Sequence, residues 1–196
     1  MIPANYIGAA TPLGPGDLAD AAKAMGVEPA VVAAVCDVES AGSGFLPDRR
    51  PKILFEAHTF HTLTKGQWDR THPNVSSPVW DRSLYGAAGA HQYDRLAEAY
   101  ALASEAAWRA ASWGRFQIMG DNYAAAGFAD AEGFVEAMCA SERAHLDAFC
   151  AFCKHGNLVR LLVAKNWIAF ARQYNGPGQV EHYAAALASA YKRHAA

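Results

Sequence analysis

The chain has 196 residues, of which 52% are apolar and 18% are charged, and its formal net charge is −2. This composition suffices for one domain with an apolar core, and the absence of a basic excess argues against a nucleic-acid partner. Alanine-rich stretches with few runs of β-branched residues favour helices over sheet. No stretch approaches the roughly 20 apolar residues that cross a bilayer, and no Sec signal is recognisable, so stable membrane insertion is not expected.

The first half of the chain predicts helices around one small β element. Residues 1–16 read as an irregular N-terminal segment, ahead of a single helical domain over 17–196. Helices are predicted over 17–25 and over 29–40, where proline stands at the first helical position. Gly, Pro and the apolar "KILFE" predict a small β-hairpin near residues 44–56, followed by a short helix.

The second half predicts a long loop and then mainly helices. Residues 66–92 are rich in Gly, Pro, Ser and Asn, and loops of this length are often functional. The later helices are expected, in chain order, over 92–110, 121–127, 130–140, 141–155, 157–172 and 178–193. The predicted fold class is therefore mainly α, an α+β domain with a minor β part.

The cysteines predict neither disulfides nor a metal site. Cys36, Cys139, Cys150 and Cys153 lack the spacing of a disulfide framework, and three of them stand in apolar helical contexts, which predicts reduced core residues. One Cys-x-x-Cys followed by His155 is a weak zinc signal without a second pair. We expect no metal and no cofactor.

Glu39 closes an apolar helical stretch and is followed by "SAGSGF". Val31, Ala34, Val35 and Val38 form an inward stripe, and Glu39 lies on its border, one turn beyond Val35. With 100° per residue, Asp37 points about 160° away from Glu39. Burial and the negative end of the helix dipole both raise the pKa of a carboxyl in this position. A carboxyl that stays protonated near neutral pH can act as a general acid. The alternative from position alone is a glutamate that faces water.

Together with two later segments, this one resembles a known family. The segments are "VESAGSGFLPDRRPKILFEAHTF" (38–60), "ASWGRFQIMGDNY" (111–123) and "FARQYNGPG" (170–178). The chain is similar to the phage and prophage N-acetylmuramidases, or endolysins, of the lysozyme-like superfamily, related to goose-type lysozymes and soluble lytic transglycosylases. The similarity extends over most of residues 17–193.

The resemblance implies a lysozyme-like muramidase domain that cleaves the β-1,4 bond between N-acetylmuramic acid and N-acetylglucosamine in peptidoglycan. Carried over by motif, Glu39 is the catalytic acid. Gln92 departs from the family pattern, in which a glutamate usually precedes the tyrosine. Because amide, hydroxyl and aromatic groups suit sugars, the expected substrate contacts are Ser40, Ser112, Gln117, Tyr174 and Asn175; Ser40 could alternatively brace Glu39 or cap its helix.

Glycoside hydrolysis usually requires a second carboxylate. Glu56 is the first candidate, because "KILFE" would form a wall of the cleft. Its alternative role is to cap the helix that follows, beside the positive end of the dipole. Asp48 and Asp37 are less favoured. A mechanism with one acid also stays open.

Two other functions therefore remain alternatives: a lytic transglycosylase that forms 1,6-anhydromuramic ends, and a non-catalytic glycan-binding module of the same fold. A binding module would have no reason to retain Glu39. We expect a monomer whose partner is the glycan strand of peptidoglycan. It would be made in the cytoplasm and would act on the cell wall, in the periplasm, after release.

Overall fold

A computed structural model describes residues 1–40 and 42–196, and the side chain of Ser40 lies outside this description. A small antiparallel sheet consists of β1 (Ile53–Phe55), β2 (Ala111–Trp113) and β3 (Ile118–Met119). The α-helices of the described residues are α1 (Asp17–Met25), α2 (Pro29–Ser40), α3 (Ala57–Thr64), α4 (His91–Leu102), α5 (Ser104–Arg109), α6 (Ala131–Ala140), α7 (Glu142–His155), α8 (Val159–Val163), α9 (Trp167–Tyr174) and α10 (Val180–Ala195).

Helix α2 is the central helix of the core. Its residues Val31, Val32 and Val35 are at most 1% exposed, and the helix packs against α1 and α10. Pro29 occupies its first position, where a missing N–H costs no helical hydrogen bond. Gly26 ends the preceding helix with a left-handed φ of 69°. The helix that carries Glu39 is thus firmly held by burial along most of its length.

The sheet forms from segments that are distant in the sequence. Leu54 of β1 pairs with Ser112 of β2, and Ser112 in turn pairs with Met119 of β3. The β element predicted near residues 44–56 is present: Phe45 makes an isolated antiparallel bridge to Pro51 ahead of β1. Its strand pairs with a remote hairpin, however, which is formed by β2 and β3.

The boundaries of three predicted helices were wrong. The helix expected over 92–110 breaks at Ala103, which is extended with a φ of −158° and a ψ of 92°. The helix expected over 157–172 divides at Lys165, with a φ of 51°, into α8 and α9. The stretch 121–127 forms a short 3₁₀ turn followed by irregular turns. The alanine-rich sequence around Ala103 carries no local signal for its break, because tertiary packing decides where such a helix turns.

The N-terminal segment 1–16 contacts the helical body. Tyr6 packs its ring against Trp113 at 5.8 Å between centroids, and its hydroxyl accepts a hydrogen bond from Trp108 Nε1 at 3.0 Å. Thr11 forms a parallel bridge with Ser141. None of the helices in the described ranges has the length and apolar character needed to cross a membrane.

Candidate active site

Glu39 stands at the end of α2 on the edge of the core. Asn175, which follows α9, donates a hydrogen bond from Nδ2 to Glu39 Oε1 at 3.0 Å. Burial raises the pKa of Glu39 above its ordinary value, and the hydrogen bond from Asn175 opposes that rise. Burial disfavours the charged carboxylate, whereas a donor stabilises it. The net upward shift is the condition that a general acid requires.

A groove on the surface consists of two cavities, which meet at Glu39. The larger cavity, of about 570 Å³, has Leu46, Ile53, Ala88, Gly89 and Arg115 among its lining residues. The smaller cavity, of about 360 Å³, contains Glu56, Ser112, Tyr174, Asn175 and Tyr183 in its lining. Both cavities are lined by Glu39, Leu54 and Gln117. A chain-like ligand that ran through both cavities would therefore pass the carboxyl group of Glu39.

Glu56 lines the smaller cavity together with Glu39. It stands at the position before α3, yet its side chain makes no capping hydrogen bond to that helix. Instead, Glu56 Oε2 accepts a hydrogen bond from the Tyr85 hydroxyl at 2.6 Å, and His58 Nδ1 lies 3.3 Å away. The alternative role as a helix cap thus has no hydrogen bond to support it.

Gln117 and Ser112 brace the β2–β3 hairpin beside the groove. Ser112 Oγ donates to Gln117 Oε1 at 2.9 Å, and Gln117 Nε2 donates to the carbonyl oxygens of Gly114 at 2.8 Å and Lys52 at 3.3 Å. The Gln117 backbone has a left-handed φ of 49°. Both Nε2 hydrogens are thus used inside the protein, and substrate contacts by Gln117 stay a prediction.

Tyr174 and Asn175 join α9 to the groove. The Tyr174 hydroxyl donates to the Phe116 carbonyl at 2.8 Å, and its ring stacks on Phe170 at 5.3 Å between centroids. Burial, and secondarily Glu39, raises the pKa of Tyr174 well above its ordinary value. Asn175 Oδ1 is buried and has no hydrogen-bond donor among the described residues. That oxygen is therefore shielded from solvent while it lacks a partner among the described residues.

The loop after Glu39 is anchored by Glu142 at the start of α7. Glu142 Oε1 accepts hydrogen bonds from Gly44 N at 2.6 Å and from Ser43 Oγ at 3.0 Å. Its other oxygen, Oε2, accepts from Arg115 Nη1 at 3.0 Å. Glu142 is 3% exposed, and although burial opposes ionisation, the bonds from Gly44 and the other donors hold the pKa of Glu142 below its usual value. This buried ion pair connects the two loops that flank the groove.

His145, one turn further along α7, fills the space between the same loops. Its Nδ1 accepts a hydrogen bond from the Arg115 backbone N–H at 3.1 Å, and its Nε2 lies 2.7 Å from the Met138 carbonyl. A Cβ atom on Gly44 or on Gly114 would come within 2.8 Å of the imidazole ring. The glycines are therefore required by close packing on His145. Burial lowers the pKa of His145 to about 4.

Sequence reasoning missed this network and Tyr85. The available signal was the pair of polar residues Glu142 and His145 at a spacing of three on a helix whose inward positions are otherwise apolar. Tyr85 had no comparable signal, since it lies in the long loop. For Ser40, the predicted substrate contact falls on a side chain outside the described residues.

Gln92 has a structural role in this protein. Its Nε2 donates to the carbonyl oxygens of Tyr85 at 2.7 Å and Ala87 at 2.9 Å, and its Oε1 accepts from Phe55 N at 3.2 Å. A glutamate carboxylate could not donate to the two carbonyl groups. The glutamine therefore positions the loop before α4 relative to β1, and Gln92 is 1% exposed.

No group of His, Cys, Asp and Glu side chains within the described ranges has an arrangement that would hold a metal ion. The four cysteines are buried and unbonded to one another. Cys150 and Cys153 lie on the inward face of α7, where burial raises the pKa of both thiols. They are core residues of that helix, and the weak zinc signal in the sequence comes from this packing.

Comparison with known proteins places the whole arrangement in context. The family profile described as N-acetylmuramidase matches residues 28–195. The crystal structure of the Burkholderia AP3 phage endolysin is similar with a TM-score of 0.85 and 38% sequence identity, over 92% of this chain and 69% of that one. No curated protein matches the sequence.

Proposed function

Because this chain belongs to the N-acetylmuramidase family, glycoside hydrolases that degrade peptidoglycan, we propose that Glu39 is its general acid. In this proposal the bond cut is the β-1,4 linkage between N-acetylmuramic acid and N-acetylglucosamine. The observation that carries it is the position of Glu39, a carboxyl with a raised pKa where the two cavities of the groove meet.

The proposed reaction uses two carboxyl groups. Protonated Glu39 gives its proton to the glycosidic oxygen as the bond from that oxygen to C1 of muramic acid breaks. A water molecule forms the new bond to C1, and ionised Glu56 takes the proton that the water loses. Tyr85 supports this division of roles, because its hydroxyl donates to Glu56 Oε2 and holds that carboxyl group in position.

Asn175 can serve both protonation states of Glu39. In the orientation described, its Nδ2 donates to the carboxylate. Rotation of the amide by half a turn would present Oδ1, which lacks a partner among the described residues, to the proton of the acid form. The proposed role of Asn175 is thus to hold Glu39 in one position before and after proton transfer.

The remaining substrate contacts are proposed from the lining of the groove. Leu46, Ile53 and Leu54 offer an apolar floor for the faces of the sugar rings. Ser112, Tyr174 and Asn175 lie in the smaller cavity, where hydroxyl and amide groups suit the polar edges of the same rings. Ser40 and Gln117 complete the proposed set of binding residues.

The decisive experiment replaces Glu39 with Gln, which preserves shape but cannot transfer a proton. Clearing of purified cell walls should fall by at least about a hundredfold, the usual contribution of general acid catalysis. The matched control is Asp37→Asn on the same helix, where the carboxylate is exposed and bonded to His194 at 2.7 Å. Full activity in a folded Glu39→Gln protein would refute the assignment.

Mass analysis of the digested wall distinguishes the two glycosidase outcomes. Hydrolysis by water leaves reducing muramic acid ends. If the C6 hydroxyl of muramic acid attacks C1 instead, the ends are 1,6-anhydro sugars and the enzyme is a lytic transglycosylase. Glu56→Gln should abolish the first reaction, because the water then has no base.

We further propose that the protein acts as a monomer without entering a membrane, and that it is made in the cytoplasm and reaches the wall after release. Light scattering of the purified protein at working concentration tests the first statement: a mass near 21.0 kDa is expected for one chain. A dimer mass would overturn it.

A further inference from the structure

The long loop between α3 and α4 holds an aromatic side chain in solvent beside Glu56. Trp80 is 60% exposed, and its neighbour Val79 is 64% exposed. Large apolar side chains that are exposed together mark binding surfaces, whereas single ones are ordinary. Two adjacent exposed residues next to a proposed catalytic group therefore need an explanation.

The loop is built to keep this pair in place. Asp81 Oδ1 accepts hydrogen bonds from Ser83 N at 2.8 Å and Ser83 Oγ at 2.7 Å. On the other side, Ser77 Oγ donates to the Val79 carbonyl at 2.9 Å. A surface that is already ordered loses little entropy when it binds a ligand. The exposure of Trp80 is thus a fixed property of the loop.

A chain of hydrogen bonds connects Trp80 with Glu56. The indole Nε1–H of Trp80 donates to the Tyr85 hydroxyl oxygen at 2.7 Å, and that hydroxyl donates to Glu56 Oε2 at 2.6 Å. Burial and the neighbouring Glu56 raise the pKa of Tyr85 to about 12, so the hydroxyl keeps its proton as a donor. The polar edge of the indole is occupied by this contact.

We propose that Trp80 is a sugar-binding platform, an additional subsite for a pyranose ring of the glycan strand beyond Glu56, and that Tyr85 is a positioning residue that orients Glu56. The inference rests on the proposed function. A pyranose has an apolar C–H face and a rim of hydroxyl groups, which match an indole face with Val79 beside it. Glu56 lines the smaller cavity and also lies beside Val79, Trp80 and Tyr85, so the proposed subsite would adjoin the groove on the far side of Glu56.

The test compares kinetics on peptidoglycan oligosaccharides of four and eight sugars. Trp80→Ala should raise KM for the octasaccharide about tenfold more than KM for the tetrasaccharide, because only the longer strand reaches the subsite. Trp80→Phe keeps an aromatic face and should retain most of the preference for length. Tyr85→Phe should lower kcat on both substrates about tenfold with KM unchanged, because Glu56 loses its donor.

The control is Tyr100→Ala, which removes another exposed aromatic ring, 42% exposed on α4, and should alter neither substrate. The subsite would be overturned if Trp80→Ala left the ratio of the two KM values as it is in the unmodified protein, whether both values stay constant or both rise equally. A change in KM alone in Tyr85→Phe would overturn the role of Tyr85.

Binding measurements separate this inference from the proposed function. Calorimetry with the octasaccharide compares Glu39→Gln with the double variant Glu39→Gln/Trp80→Ala, and about tenfold weaker binding by the double variant is expected. If Glu39→Gln proved fully active, the general acid assignment would fail, whereas the length preference of the Trp80 variants would still decide on the subsite.

Discussion

Glu39 is a half-buried acid to which Asn175 donates a hydrogen bond. Among the residues that the structure describes, no cation contacts its carboxyl group, so burial is the dominant influence and raises its pKa. A lysine or arginine at position 175 would reverse this balance, because a nearby positive charge stabilises the carboxylate. An amide donor holds the carboxyl group in place and lowers its pKa less than a cation would, which suits a proton donor.

Asn175→Ala should shift the pH profile upward. The hydrogen bond from Asn175 lowers the pKa of Glu39, so its removal raises that pKa further. The acid form then survives to higher pH, and the limb on which activity falls with rising pH moves in the alkaline direction. Measured kcat/KM between pH 5 and 9 checks this, with the exposed α9 variant Gln173→Ala as the control. A shift toward acid would contradict the account.

At the residue scale, the place of Glu39 at the end of its helix was predictable from the sequence, whereas the residues that hold the surrounding loops were not. Glu39 was predictable because helical periodicity and two following glycines are local signals. Glu56 was predictable only together with the family resemblance. Tyr85 and Glu142 act across long sequence separations, and no local pattern reveals that a tyrosine in a loop or a glutamate at a helix start will hold residues beside the groove.

Helix α7 organises the groove without lining it. Its first turn presents Glu142 to the loop after α2 and to Arg115 of the β2–β3 turn. Its second turn presents His145 to the same two segments. The position of the groove walls thus depends on a helix on the opposite side of the loops.

Glu142→Gln should destabilise the fold. Loss of one partner leaves the Arg115 guanidinium, which is 12% exposed, without its counter-charge, and breaking such a buried pair costs about 3 kcal/mol. Urea unfolding measures the change. Glu105→Gln is the matched control, since that side chain is 68% exposed in its pair with Arg109 and should cost less than about 1 kcal/mol. Equal costs would contradict the structural role.

Gly44→Ala should also destabilise the loop, for a steric reason. The added Cβ would lie 2.6 Å from His145 Nδ1 and 2.9 Å from Arg115 N, and such overpacking costs about 1–3 kcal/mol. Gly178→Ala is the control, because nothing lies within 4 Å of its Cβ position. Thermal unfolding of the two variants should differ clearly, and similar melting temperatures would show that the loop can move aside.

Elements were predictable where caps and periodicity agree. The bounds of α1 and α2 follow from Gly26, Pro29 and a continuous apolar stripe. The pairing of β1 with β2 was not predictable, because each strand has three residues or fewer and finds its partner only through the tertiary fold. The break at Ala103 was not predictable for the same reason, since the alanine-rich sequence on both sides of it is compatible with one continuous helix.

The molecule as a whole is a helical domain in which the contacts of Glu142 and His145 with the loops beside the groove are sensitive to acid. His145 is buried in the neutral form, and Glu142 beside it is buried in the charged form. Protonation is unfavourable for both groups in the folded protein. Acid should therefore weaken the contacts of Glu142 and His145 first, before it affects the apolar core around α2.

Stability should fall as the pH falls below about 6.5. The unfolded chain binds a proton on His145 near pH 6.5, whereas the folded protein does so only near pH 4. Between these pH values the unfolded state holds more protons than the folded state. The free energy of unfolding therefore falls by about 3 kcal/mol as the pH drops through that range. Above pH 6.5 this contribution is complete and constant. The pKa of Glu142 is lowered in the folded protein. Stability should therefore fall further when the pH drops below the ordinary pKa of a glutamate.

Melting temperatures from pH 4 to 8 check this expectation. His145→Gln, which keeps an acceptor for Arg115 but cannot titrate, should show a flatter dependence than the unmodified protein. His155→Gln, at the exposed end of α7, should not change the slope. A slope that persisted unchanged in His145→Gln would contradict the assignment to this residue.

The partnership of α2 with α9 and α10 has a consequence during synthesis. Glu39 leaves the ribosome early, yet Asn175 and α10, against which its helix packs, emerge more than a hundred residues later. A nascent chain can therefore carry the acid without its donor or its burial, and a product that terminates before residue 175 would lack both. The hydrogen-bonded and buried state of Glu39 therefore arises only after the segment that contains Asn175 and α10 has been synthesised.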